Sequence, residues 1–299
     1  MAGGGPRGLR HYFAVVVAAW SLSLGAAEYI GTDICVECHE EYTAALQATR
    51  HAIHEDGTGL LAEQGCEACH GPGSDHLDQD GEPGTIASLK PGSAVPEAVN
   101  EPCLQCHQSG ATQFWQGSSH ARSDVVCSSC HSVHSRDLVR LREEQADACY
   151  TCHAEIRAKA YRPYGHPLRE FKVTCTQCHN PHGGKGPHDM DTFTVNDNCY
   201  TCHAEKRGPF LFEHAPVPED CTLCHDAHGS VYLGSLTRPM PMLCISCHQE
   251  FAGANHVRQV YDYSPGETIV ARGLLGGSCA NCHSQVHGSN HPSGVALMR

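Results

Sequence analysis

The chain has 299 residues, 20 cysteines, 24 histidines and a formal charge of −13. Thirty glycines and 17 prolines stand against 6% aromatic residues, so a large protein core is excluded. The acidic balance also argues against nucleic acid as a partner, because phosphate binding needs a basic face.

Residues 1–27 read as a cleaved secretory leader. A basic start (Arg7, Arg10) precedes an apolar run from Tyr12 to Leu24, and small residues follow at Gly25, Ala26 and Ala27. The apolar run is shorter than the roughly 20 residues that span a bilayer. No second apolar stretch is long enough to cross one, so the mature chain is expected to be exported.

From residue 28 onward ten Cys-x-x-Cys-His runs dominate, and they absorb every cysteine. The first unit, about 35–76, holds Cys35, Cys38 and His39, then His51, then Cys66, Cys69 and His70, then His76. The second, about 103–134, holds Cys103, Cys106 and His107, then His120, then Cys127, Cys130 and His131, then His134. The third, about 149–182, holds Cys149, Cys152 and His153, then His166, then Cys175, Cys178 and His179, then His182. The fourth, about 199–228, holds Cys199, Cys202 and His203, then His214, then Cys221, Cys224 and His225, then His228. The fifth, about 244–287, holds Cys244, Cys247 and His248, then His256, then Cys279, Cys282 and His283, then His287. Cys-Tyr-Thr-Cys-His-Ala-Glu occurs at both 149–155 and 199–205, a repeat that extends beyond the motif itself.

Cys-x-x-Cys-His is the attachment signal for c-type haem. The two thiols add across the vinyl groups and the adjacent imidazole becomes the proximal iron ligand. Zinc sites also use Cys-x-x-Cys pairs, but zinc has no reason to require a histidine after every second cysteine. Ten covalently bound haems would then form the core, with the polypeptide as a thin wrapping around them.

The single histidine between the runs of each unit, and the one that closely follows each even run, supply ten candidate distal ligands for ten irons. They are His51, His76, His120, His134, His166, His182, His214, His228, His256 and His287. His54 competes with His51, and His291 with His287. His51 is favoured because Ala-Thr-Arg-His-Ala at 48–52 matches Gly-Ser-Ser-His-Ala at 117–121. His54, His188 and His291 are read as surface residues or partners of haem propionates. Histidine on both axial faces gives lower reduction potentials than histidine with methionine and leaves no site for a substrate. The expected activity is therefore electron transfer along an array, without catalysis.

Between the runs, short α-helices and loops are expected, for example a helix over 137–148, with almost no β structure. Two long connections, 71–102 and 249–278, are rich in Gly and Pro or otherwise break the rhythm. They read as surface loops, or else as contacts for a partner.

The segments at 65–76 (Gly-Cys-Glu-Ala-Cys-His-Gly-Pro-Gly-Ser-Asp-His), 178–183, 224–229 and the closing 282–294 resemble the periplasmic decahaem cytochromes of the MtrA/PioA/DmsE type. The resemblance covers about 33–294. It implies an elongated cytochrome inserted in an outer-membrane β-barrel porin. Such a protein links periplasmic or inner-membrane donor and acceptor cytochromes to an extracellular multihaem cytochrome, reductase or mineral. Extracellular respiration and oxidation of extracellular Fe(II) are both served by such a wire. The same residues would also suit a soluble periplasmic electron shuttle or store. A multihaem reductase needs an open iron, often marked by Cys-x-x-Cys-Lys, and no such run occurs.

Overall fold

The structure, a computed structural model, describes residue 1 and residues 26–47, 49, 51, 64–135, 137–249, 278–292 and 294–297. Most of the leader, His54, His256 and nearly all of the connection at 249–278 lie outside the described residues. Among the described residues the regular structure consists of short α-helices and single 3₁₀ turns, with only isolated β-bridges. This agrees with the short helices and loops, with almost no β structure, expected from the sequence.

Each cysteine run is one tight turn. In nine of the ten, the histidine N–H donates to the carbonyl of the first cysteine, as in His107 to Cys103 (2.9 Å) and His179 to Cys175 (3.0 Å). That bond sets positions i, i+3 and i+4 on one face, so both sulfurs and the imidazole point the same way.

Odd and even runs reach this turn differently. Odd runs ride on α-helices: α1 (Thr32–Gln47), α4 (Pro96–Leu104), α5 (Gln145–Tyr150), α7 (Val195–Tyr200) and α9 (Met242–Ile245). The second run forms α2 (Glu67–His70), followed by α3 (Ser74–Asp78). The later even runs open 3₁₀ turns at Cys127–Ser129, Cys175–Gln177, Cys221–Leu223 and Cys279–Asn281. Helix α6 (Ala154–Ala160) follows the fifth run and α8 (Pro216–Glu219) precedes the eighth.

The starts follow from local chemistry. Pro96 and Pro216 open α4 and α8, where a missing N–H costs nothing. The Thr194 hydroxyl accepts from Asp197 N (3.0 Å) at the start of α7, and the Asp220 carboxylate accepts from Thr222 N (2.7 Å) ahead of the eighth run.

The helix expected over 137–148 is not formed as such. A 3₁₀ turn at Leu138–Arg140 and a bend precede α5, which begins only at Gln145. The Arg142 guanidinium donates to the carbonyls of Phe171 and Lys172 (2.5 and 2.6 Å), and Gln145 Nε2 donates to Val139 O (3.1 Å). These tertiary bonds outweigh the local preference for a continuous helix.

The buried apolar residues among those described are only Val99, Trp115, Val126, Ala160 and Leu236. Polar side chains do the structural work beside them. Buried Asn100, three residues before Cys103, accepts from Cys127 N (2.8 Å). Buried Asn196, three before Cys199, accepts from Cys221 N (2.7 Å) and donates to Val217 O (2.9 Å). Thr32, three before Cys35, accepts more weakly from Cys66 N (3.4 Å). In the third unit Gln145 takes over, accepting from the Thr176 hydroxyl (3.0 Å). The helix of an odd run thus pins the turn of the next even run.

Contacts stay close along the chain. Among hydrogen bonds between described residues, the widest separation is 79 residues, from Leu211 N to Asn290. Among the described residues each unit hydrogen-bonds only within itself and to its neighbours, which is the one-dimensional organisation of a repeat protein.

Candidate functional site

All twenty cysteines, the ten proximal histidines and nine of the predicted distal histidines line one continuous cavity of about 6060 Å³. Across it, nine proximal histidines each face one distal histidine. The pairs, in the order of the proximal residue, are His39 with His76, His70 with His134, His107 with His51, His131 with His182, and His153 with His120. They continue with His179 and His228, His203 and His166, His225 and His287, and His248 and His214.

Ring centroids in these pairs lie between 5.8 Å (His131 and His182) and 6.4 Å (His39 and His76). A metal held between two imidazoles needs about 2 Å for each bond to nitrogen and about 1 Å from that nitrogen to the ring centre, or about 6 Å between centroids. The spacing therefore fits one iron per pair.

The remaining ring nitrogens fit as well. A ligand imidazole coordinates through Nε2 when Nδ1–H is held by an acceptor. In the even runs the proximal Nδ1 is held: His70 by Ala87 O (2.8 Å), His131 by Asp137 Oδ2 (2.9 Å), His179 by His188 O (2.8 Å), His225 by Gly234 O (2.8 Å) and His283 by Ala296 O (2.6 Å). For odd runs the anchored ring is the distal one. His76 Nδ1 meets Thr85 Oγ1 (2.9 Å), while His120, His166 and His214 meet the carbonyls of Pro181 (2.8 Å), Ala227 (2.9 Å) and Val286 (3.0 Å). Nine of the ten candidate sites thus have one imidazole oriented by a fixed acceptor.

Burial, followed by nearby cationic groups, holds His51, His134, His182, His228 and His287 below the ordinary histidine value. That keeps these rings neutral, which is the state a metal ligand requires.

Eight of the nine pairs cross the sequence units, and only His39 with His76 stays within one. His182 serves the proximal histidine of the preceding unit and His166 that of the following one. The reason is reach: three residues span at most about 10 Å, so His179 and His182 cannot pass around a macrocycle to opposite faces. His287, rather than His291, stands opposite His225. His51 stands opposite His107, and the competing His54 lies outside the described residues. His188 has a role that residue type did not reveal, because its backbone carbonyl orients His179.

Glycine completes the distal turns. Gly183, Gly229 and Gly288 each follow a distal histidine at φ of +104°, +131° and +134°. A Cβ on Gly229 would lie 2.2 Å from Lys159 O, and one on Gly183 would lie 2.5 Å from Phe114 O. Only glycine lets the segment before one distal histidine pack on the turn that presents another. The repeated His-Gly dipeptide is the sequence signal of this requirement.

The sulfurs give the order of the sites. Within units, the first cysteines of the odd and even runs lie within electrostatic reach of each other: Cys35 of Cys66, Cys103 of Cys127, Cys149 of Cys175, Cys199 of Cys221 and Cys244 of Cys279. Between units, second cysteines lie within electrostatic reach: Cys69 of Cys106, Cys130 of Cys152, Cys178 of Cys202 and Cys224 of Cys247. Consecutive runs are therefore spatial neighbours from the first to the last.

Comparison with known proteins agrees with this geometry. The family described as "Doubled CXXCH motif" matches residues 166–208 and 214–253, and "Cytochrome c-type protein NrfB-like" matches residues 66–141. The chain is 40% identical over 275 residues to "Multiheme cytochrome MtrA" of Shewanella baltica (strain OS185), covering 90% of this chain and 81% of that protein. The chain thus belongs to the MtrA-type multihaem c-type cytochromes, which hold several haems covalently through paired Cys-x-x-Cys-His runs and transfer electrons.

Proposed function

We propose that residues 28–299, after loss of the leader at 1–27, form one decahaem electron conduit of five di-haem units. Each iron is held between two histidines. Nine sites are the facing pairs described above, and His283 is assigned to His256, the one predicted distal histidine that those pairs leave unassigned. The observation that carries the reading is the succession of facing pairs at one-iron spacing, in chain order.

Haem c supplies a one-electron couple at each site when bound. The cysteines would hold each haem at two points and the facing histidines would ligate its iron from both sides, which would leave no coordination site for a substrate. The chain is accordingly an electron-transfer protein and not an enzyme. The neighbouring cysteines of consecutive runs place successive sites side by side, and Asn100 and Asn196 fix the separation inside their units. Electrons pass along the order of the chain in an extended array.

The leader sends the chain to the periplasm. There it sits in an outer-membrane β-barrel porin and connects periplasmic or inner-membrane cytochromes to an extracellular multihaem cytochrome or reductase. Two features support the sheath. The chain is acidic and largely irregular, and no helix among the described residues is long and apolar enough to cross a membrane. Irregular backbone cannot face lipid, because its N–H and C=O groups would lack partners.

The test is fractionation of the native organism's membranes, mild detergent extraction and haem-stained native gels. Comigration with an outer-membrane barrel supports the conduit. Release of the cytochrome alone with the periplasm would replace it by a soluble shuttle or store.

A further inference from the structure

In four even runs the proximal imidazole gives its Nδ1–H to a neutral backbone carbonyl, namely that of Ala87, His188, Gly234 or Ala296. The fourth run alone departs from this. His131 Nδ1 donates to the carboxylate of Asp137, 2.9 Å from Oδ2. The departure has a local cause. In the sixth and eighth runs the chain returns past the proximal histidine as a β-bridge, His179 with Met190 and His225 with Leu236, and the residue before the return supplies the carbonyl. After His131 the chain turns directly into the 3₁₀ turn at Leu138–Arg140, and Asp137, which precedes that turn, reaches back instead.

Asp137 is largely buried. Its side chain is 18% exposed and lines the same cavity as the histidine pairs. Its second oxygen, Oδ1, is the only buried side-chain oxygen or nitrogen without a hydrogen-bond partner among the described residues. Among those residues no lysine or arginine forms an ion pair with it. A carboxylate acceptor raises the basicity of a ligand imidazole more than a carbonyl does, and a more basic ligand favours the ferric ion. The negative charge of the carboxylate acts in the same direction.

We propose that Asp137 is a positioning residue that makes the His131/His182 site the lowest in reduction potential among the five even-run sites. The inference rests on the bis-histidine reading given above. It places the low point of the even-run sites at the fourth position of the array.

The test is a spectroelectrochemical titration of the intact haem-loaded protein and of Asp137→Asn, which keeps an oxygen acceptor and removes the charge. About one tenth of the absorbance change is expected to move to higher potential, with the rest of the curve and the low-spin spectrum unchanged. Curves that superimpose would overturn the proposal. A second readout needs no variant. The near-infrared charge-transfer band of ferric low-spin haem moves to higher energy as the axial imidazole becomes more basic. The wild-type protein should show a separate high-energy component of about one tenth of the intensity. A single unresolved band would overturn the proposal even if Asp137→Asn failed to assemble. A high-spin ferric signal in the wild type would instead count against the underlying bis-histidine reading.

Discussion

Asn196 pins the eighth run to the helix of the seventh, and removing it should loosen that one joint. Asn196→Ala deletes two hydrogen bonds of a buried side chain, from Cys221 N (2.7 Å) and to Val217 O (2.9 Å). Leaving one buried backbone group unpaired costs about 1–3 kcal/mol. The Cys221 amide is only half-buried and water can replace part of its bond, so about 2 kcal/mol is expected for the whole change. Covalent haem makes global unfolding an unsafe two-state measure, so the readout should be local. Hydrogen exchange of the Cys221 amide in the haem-loaded protein should accelerate about 30-fold, the equivalent of about 2 kcal/mol. The Cys127 amide, held by Asn100 in another unit, should not change. Unchanged exchange at Cys221, or equal acceleration at both amides, would refute the idea that the second and fourth units are each stapled by their own asparagine.

Three further outcomes are expected. Gly229→Ala should cost about 3 kcal/mol and disturb the His203/His166 and His179/His228 sites, because its Cβ meets Lys159 O, whereas Gly234→Ala, with open space around it, should cost only about 1 kcal/mol; thermal melts monitored at the haem band distinguish them. Burial would raise the Glu67 carboxyl, but bonds from Ile30, Gly31 and Gly73 N–H hold it below the ordinary 4.5; its contribution is therefore complete above that value and lost as pH falls through its lowered one. Exchange protection of those three amides should persist at pH 4.5 and decline only at lower pH in the wild type, and start lower and stay flat in Glu67→Gln. Electron paramagnetic resonance should separate two ligand classes, since the ring planes are inclined by 47–66° at His166/His203, His120/His153 and His51/His107 but by only 10–24° in the other six pairs, and a single homogeneous class would contradict these orientations.

The sequence made the chemistry legible because covalent attachment demands a contiguous motif. A Cys-x-x-Cys-His run names its cofactor wherever it occurs, and the alternation of single histidines supplied enough distal candidates for one per iron. The scarcity of protein core was equally legible, from glycine, proline and few aromatics. Partner choice was not. His166 meets His203 and His182 meets His131 because of how the turns stack, and stacking depends on long-range contacts such as Tyr164 with Ser230. The Nδ1 acceptors were hidden for another reason. Pro181, Ala227 and Val286 act through carbonyls, which every residue type possesses. His188 misled in the opposite way, since its side chain drew attention while its backbone does the orienting. The stretch 137–148 read as a helix because its local pattern permits one, and Arg142 spends its hydrogen bonds elsewhere.

The central claim is that every iron in the array is held by two histidines. The most direct measurement is the mass of the mature chain, to count covalent haems, combined with magnetic circular dichroism of the fully oxidised protein. The account predicts a mass increase of ten haems and a wholly low-spin ferric spectrum with bis-histidine charge-transfer energies. Fewer haems, or a high-spin component of about one haem or more, would contradict it.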